Sequence, residues 1–438
     1  MTNATIGILI FILMIALVVL GIPVYLAVMG CSLLGMYLVT SEAMLLQQFT
    51  AGFFSNVASY TYSVIPLFML VGVLAGDTGI AEGAYTSMQK WTSKRKGGLL
   101  YATVAANAVF GACSGVSSAG TIVFCKVAAP QLKAHGYDES VSLGCIAATG
   151  SLSSLIPPSI GVLTFCILTD QSIGTGLMTS FAGGILMVVI MFIMIFVLCR
   201  VQPGKVPPVT DEDRSVTWLE RIKTLKLLLP IAALFALIVG GSFAGWFPPT
   251  VGGAVATVAI VIYALVKGMT VRQLLMSFWE GCQMFASMYL IVMAATIFGR
   301  FVGLTKLAET LINGIAALSI PPIAVYLIIV VVYLFCGCVM DCMSVMMITV
   351  PVVFPLLTGL GFNGYALIVV VIMISELGAI TPPMGMAVFT VSTVLREPST
   401  KIFKGVWPFI IAMFVASILI VFFPQLVTWL PSLLGYRM

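Results

Sequence analysis

The chain has 438 residues, of which 61% are hydrophobic and 8% charged, with a formal net charge of +5 and a mean hydropathy of +1.17. A soluble domain carries about a quarter charged residues, so that class is excluded. A membrane β-barrel, built of alternating segments of about ten residues, is excluded by long uniform apolar runs such as Ile6 to Val28 and Leu177 to Leu198.

An all-α polytopic protein in a lipid bilayer is therefore expected. Helices are read at 5–21, 23–40, 61–76, 138–168, 175–199, 226–243, 250–266, 284–299, 362–392 and 405–430. The start, Met1-Thr-Asn-Ala-Thr5, lacks a basic region, so the first run reads as a retained helix rather than a cleaved signal. Segments 41–58 and 79–92 are amphipathic and read as interfacial, with 303–318 as the counterpart of 79–92. The stretch 201–224 is the one long polar segment and reads as a linker between halves. Basic residues gather in four places: Lys90 to Lys96, Arg200 to Lys226, Lys267 with Arg272, and Arg396 to Lys404. The positive-inside rule puts all four in the cytoplasm, needs no nucleic acid, and by helix parity leaves both termini on the periplasmic side. The ten cysteines show no CxxC or zinc spacing and read as small buried hydrophobes.

Residues 110–158 recur in degenerate form 225 positions later. Phe110 falls on Phe335, Pro130 on Pro355, Gly136 on Gly361, Tyr137 on Phe362, and Pro157-Pro158 on Pro382-Pro383. The segment 98–132 lies between a cytoplasmic loop and a helix that must run outward. It is expected to be a re-entrant hairpin with its tip at Ser114 to Ser117, since arms of ~24 Å fall short of the hydrocarbon thickness. The second hairpin, 320–356, is expected to enter from the opposite side. Inverted repeats with broken helices are the design of many secondary transporters. The chain then divides into scaffold (1–60), a first transport repeat (61–174), scaffold with a cytoplasmic linker at 200–225 (175–283), a second transport repeat (284–400) and a C-terminal scaffold helix (401–438).

The chemistry is expected where the backbone breaks. Each Pro-Pro removes two N–H donors and frees carbonyls upstream, which are hard oxygen ligands. Half-helix termini add partial charges, and together these suit a small cation and an anionic substrate. The alternative is a packing kink. Ser114, Gly115, Ser117 and Ser118 give hydroxyls and bare backbone at the first tip, or else interhelical glue. Gly337 and Asp341 take the corresponding place in the second copy. An intramembrane carboxylate is a functional candidate by default, with a structural pairing as the alternative. Ser153 and Ile156, with their equivalents Gly378 and Thr381, precede the prolines and offer oxygen ligands. Glu376 either faces the cavity or supports the broken helix, and Ser114, Pro157, Pro382 and Glu376 are the substrate-cavity candidates. Lys126 and Arg300 read as snorkelling side chains. An intramembrane hydrolase built on Ser114 would need a base, and the single histidine, His135, falls in a loop.

Ser114-Gly-Val-Ser-Ser-Ala119, Leu155-Ile-Pro-Pro-Ser159, Val339-Met-Asp341 and Leu377-Gly-Ala-Ile-Thr-Pro-Pro-Met-Gly385 carry a resemblance over essentially the whole chain. It resembles the large membrane subunit of tripartite ATP-independent periplasmic (TRAP) transporters, within the ion transporter superfamily. It departs from the family pattern at Ala387, where Asn is usual, and at Ser153, where Gly is usual. The resemblance implies inward transport of organic acids such as C4-dicarboxylates or sugar acids, with sodium ions as coupling ions and no organic cofactor. It implies a bacterial inner-membrane location and an elevator mechanism. It also implies a small four-helix membrane subunit, here a separate chain, and a periplasmic substrate-binding protein. One sodium site would use Ser114, Gly115, Ser117, Ser118, Ser153, Ile156 and Pro158. The other would use Gly337, Asp341, Gly378, Thr381 and Met384. A stand-alone sodium/organic-anion symporter of similar architecture is the alternative, with a channel as a more distant one.

Overall fold

The computed structural model describes residues 2–47, 50, 63–210, 214–243 and 246–435. The described residues form helices and turns, without a strand. Most of the 41–58 segment lies outside them. The first two apolar runs form α1 (Asn3–Val19) and α2 (Val24–Val39). Next, α3 (Val64–Asp77) and α4 (Ile80–Thr92) meet at 64°. The hairpin follows as α5 (Gly98–Ser114) and α6 (Ser117–Ala134). Then α7 (Glu139–Thr149) continues past Gly150 as α8 (Ser151–Leu155), breaks, and resumes as α9 (Ile160–Leu168) at 50°. After α10 (Ile173–Val201) come α11 (Trp218–Thr224), a 3-10 turn (Leu225–Leu228) and α12 (Leu229–Phe235). The second half holds α13 (Pro249–Val266), α14 (Val271–Thr305) and α15 (Leu307–Ala317). The second hairpin is α16 (Pro322–Val339) and α17 (Cys342–Gly359), followed by α18 (Gly364–Ile380), a break, and α19 (Met386–Leu395). The chain closes with α20 (Ser399–Phe422) and α21 (Gln425–Leu433).

Among the described residues, six helices are long and apolar enough to cross a bilayer, or up to eight if each bent pair is one span. The expected helices 138–168 and 362–392 are each split, because prolines at 157–158 and 382–383 supply no N–H to the preceding turn. Both Pro-Pro bonds are cis. The expected helix 405–430 is likewise two, α20 and α21. Two boundaries move for one shared reason. The linker stops at Thr217 and α14 begins at Val271, 13 residues before its expected start. Each start is a capping box, Thr217 with Glu220 and Thr270 with Gln273, which satisfies the first free N–H groups of a helix that opens on polar sequence.

Element bounds repeat at the offset read in the sequence. Ser114, Ser117, Ala134, Glu139 and Leu155 end or begin helices, and so do Val339, Cys342, Gly359, Gly364 and Ile380, each 225 positions on. The broken helices form the core. Every residue of α18 from Ala366 to Ile380 is buried, as expected of a helix apolar on all sides. It packs against α8, α9, α16 and α20. The α7–α20 crossing is closer still: a Cβ on Gly405 would lie 1.7 Å from the Ser140 carbonyl oxygen. At the basic end of this crossing Lys401 pairs with Glu139 and, at 3.3 Å, with Glu397, while Lys133 reaches Glu139 at 3.4 Å.

Candidate functional site: two hairpin tips against two broken helices

The first tip turns through Gly115, whose φ of +62° is a left-handed conformation that a side chain would strain. There is also no space for one, since a Cβ would meet the Pro158 carbonyl oxygen at 2.2 Å. The tip is pinned to the break by the Ile160 N–H, which donates to the Gly115 carbonyl at 3.2 Å. Ser114 is fully buried beside this junction and its hydroxyl has no hydrogen-bond partner among the described residues. Ser117 is half-buried and Ser118 exposed.

The break exposes carbonyls as the prolines require, but most are already engaged. The Ser159 hydroxyl donates to the Ser154 carbonyl, and the Ser180 hydroxyl to the Leu155 carbonyl. The Ser153 carbonyl, whose helical donor would be residue 157, meets a proline there. The Ser153 hydroxyl donates to Asn107 Oδ1 at 3.1 Å, and Asn107 Nδ2 donates to Thr149 at 3.2 Å. Asn107, Ser159 and Ser180 are residues the sequence reading passed over. Asn107 had a signal, being a lone amide within the apolar arm Gly98–Ser114. Ile156, Pro157 and Pro158 are buried.

The second site is more open. Gly337 and Gly378 touch, with a Cβ on Gly337 falling 2.7 Å from Gly378 Cα. The Gly378 carbonyl accepts from Thr381 N–H at 3.0 Å, and the Thr381 hydroxyl donates to the Leu377 carbonyl at 2.6 Å. Cys338 Sγ lies 3.2 Å from the Thr381 carbonyl and 3.3 Å from that of Pro382. Pro382 is half-buried and Met384 is 53% exposed. Asp341 is exposed and caps α17. Its carboxylate accepts from Met343 N–H at 3.1 Å, from Ser344 N–H at 3.2 Å and from the Ser344 hydroxyl. The signal for this cap, Asp-x-x-Ser, was legible at 341–344.

Glu376 joins the two halves. It is 2% exposed and accepts a 2.7 Å hydrogen bond from Ser154 of the first broken helix. Ser117 and Cys342 also reach its carboxylate. These are the first residues of α6 and α17, so the second arms of both hairpins begin beside one buried carboxylate. His135 bonds the Gln131 carbonyl at 2.8 Å at the exposed end of α6, and no base pairs with Ser114. Among the described residues no cluster of metal-binding His, Cys, Asp or Glu occurs.

These features define a multi-pass α-helical membrane protein whose polar groups gather at hairpin tips and helix breaks. The chain belongs to the family described as Tripartite ATP-independent periplasmic transporter, DctM component, which it matches over residues 11–426. It is a TRAP large permease, a transporter component and not an enzyme. It is similar to the sialic acid TRAP transporter permease protein SiaT of Haemophilus influenzae, 26% identical over 86% of this chain and 61% of that one. The chain thus spans less than two thirds of that relative's length. It is 26% identical to the C4-dicarboxylate TRAP transporter large permease protein DctM of Pseudomonas aeruginosa, over 87% of this chain and 88% of that one. Among solved structures, the Alcanivorax borkumensis YdaH transporter is similar in fold, with a TM-score of 0.59, 16% identity and 88% of each chain covered.

Proposed function

We propose that the chain is the membrane permease of a sodium-driven importer of organic acids in a bacterial inner membrane. The observation that carries this reading is the buried, unpartnered Ser114 hydroxyl at a tip pinned to a proline break. A buried hydroxyl without a partner is costly. Beside it the Ser153 carbonyl lacks a helical donor, and hard cations take oxygen ligands of this kind, a rule for divalent ions extended here to sodium. The residues present fit such an ion: Ser114, Gly115, Ser117, Ser118, Ser153, Ile156 and Pro158 would hold one sodium. Gly337, Asp341, Gly378, Thr381 and Met384 would hold the other. The sodium gradient supplies the free energy of uptake. The protein's own part is to order hydroxyls and carbonyls around a site between the tips.

The matched element bounds at one offset support two repeats, and the basic loops support opposite orientations for them, with hairpins entering from opposite faces and moving together as an elevator. A small four-helix membrane subunit and a periplasmic binding protein complete the machine. The relatives' names, sialic acid and C4-dicarboxylate, support a carboxylate as substrate.

The test is uptake of radiolabelled sialic acid and of a C4-dicarboxylate into vesicles holding the chain with its small subunit and substrate-loaded binding protein. Sodium and proton gradients are imposed separately. Accumulation is expected with sodium alone. Accumulation driven only by protons would sink the sodium assignment, and full uptake by the chain alone would favour a stand-alone symporter.

A further inference from the structure

A second polar feature lies away from the hairpin tips. Arg221 on α11 is 8% exposed, its Nε has no hydrogen-bond partner, and no described acidic side chain pairs with it. A buried guanidinium nitrogen without a hydrogen-bond partner among the described residues is costly. Arg221 lies over the Trp218 ring, with the guanidinium carbon 5.2 Å from the ring centroid. Trp218 in turn meets Trp91 of α4 edge-on at 6.0 Å, and both indoles are exposed. Paired tryptophans at one level of a membrane protein mark the headgroup region, so Arg221 sits at headgroup depth. Lys223 and Lys226, both exposed, stand on the same segment.

Along this segment the inward stripe runs from Arg221 through half-buried Leu228 to Ile231 and Leu234, both buried. Beside its deeper part lies an almost purely apolar groove of about 360 Å³ between α5, α10 and α12, lined by Ala108, Ile156, Ile185, Ile231, Ala232 and Phe235. From Arg221 the helical rise puts Leu228 to Phe235 ~10 to 20 Å further into the bilayer, which is acyl-chain depth. α11 is held in place by Ser87, whose hydroxyl donates to Thr224 at 3.3 Å.

We propose that Arg221 and this groove form one binding site for an anionic phospholipid. The phosphate sits on the guanidinium with Lys223 and Lys226 beside it, and one acyl chain fills the groove between the first hairpin arm and α12. Basic pockets between membrane helices are known headgroup sites, and a planar guanidinium matches a phosphate bidentately. The groove ends on Ile156, so the lipid chain touches the first helix break. The site shares Ile156 with the proposed first sodium site but does not rest on the sodium reading.

The experiment uses the full chain in phosphatidylcholine vesicles carrying a small share of phosphatidylglycerol with a diazirine on one acyl chain. After photolysis the labelled residues are mapped by mass spectrometry. Labels are expected on the groove faces of α10 and α12. Arg221→Gln is expected to cut labelling about tenfold, the weight of one charge-assisted hydrogen bond, with Arg221→Lys partly restoring it. Ala232→Phe, which fills the groove and leaves the guanidinium alone, is expected to cut it too. If Arg221→Gln does not fold, Ala232→Phe and competition in the wild type by unlabelled phosphatidylglycerol against phosphatidylcholine decide the matter. Equal labelling by a diazirine phosphatidylcholine would show ordinary surrounding lipid only and overturn the proposal. So would labelling unchanged in folded Arg221→Gln or in Ala232→Phe.

Discussion

At the scale of the residue, two side chains separate structure from ion binding. Ser114 is buried and bonded to nothing, so its hydroxyl costs the folded state rather than helping it. Ser114→Ala is expected to leave thermal stability unchanged or slightly raised in sodium-free buffer. It should also reduce the stabilisation that sodium gives, because a ligand of the native state stabilises only in proportion to its binding. A sodium-dependent melting shift equal to wild type would remove Ser114 from the site. Asp341 behaves differently, because it is already a helix cap. Asn caps as well as Asp, whereas Ala costs about 1 kcal/mol. Asp341→Asn should therefore keep stability yet raise the sodium concentration for half-maximal uptake, and Asp341→Ala should lose both stability and uptake. Wild-type sodium dependence in Asp341→Asn would leave the carboxylate a cap and nothing more. The sequence marked both residues. The Asp-x-x-Ser pattern at 341–344 offered a cap for Asp341, but nothing in an apolar run told that Ser114 would be buried and Asp341 exposed. Glu376 was legible only as a carboxylate near a break. Its place beside Ser154 and Ser117 depends on segments more than 200 positions away in the chain.

At the scale of the element, apolar runs predicted most helices within a few residues, because a bilayer rewards continuous apolar sequence directly. Apart from the helices split at prolines, the misses fall where polar sequence is helical. α11 and the first turns of α14 carry Arg, Glu and Gln, and only their capping boxes betray them. Helix-to-helix proximity was the other unread quantity. Gly144 and Gly405 bring α7 and α20 almost to backbone contact, the close approach that small residues allow in membranes. Gly405→Ala forces the helices apart and is expected to cost about 1 to 3 kcal/mol, the usual range for overpacking. Gly30→Ala in α2, where nothing lies within 4 Å of the new methyl, should be neutral or mildly stabilising. Thermal unfolding of the two variants side by side checks this. Similar melting temperatures would mean that the α7–α20 crossing contributes nothing special.

At the scale of the whole molecule, the repeat makes a sharp topological claim. If the halves are inverted, the loop between α4 and α5 and the loop between α15 and α16 lie on opposite faces, although 225 positions relate the segments that follow them. Lys94 and Leu318 are exposed in those loops. Cys282 is the one exposed cysteine of the ten, so a Cys282→Ser chain gives a quiet background. In that chain Lys94→Cys and Leu318→Cys are treated on intact cells with a maleimide that cannot cross the membrane. Basic residues at Lys94, Arg95 and Lys96 favour the cytoplasm, so Leu318→Cys should label from outside and Lys94→Cys only after the membrane is opened. The reversed pattern would keep the inversion and overturn the orientation. Labelling of both from the same side would remove the inverted repeat itself, and with it the physical basis for an elevator built from two opposed hairpins.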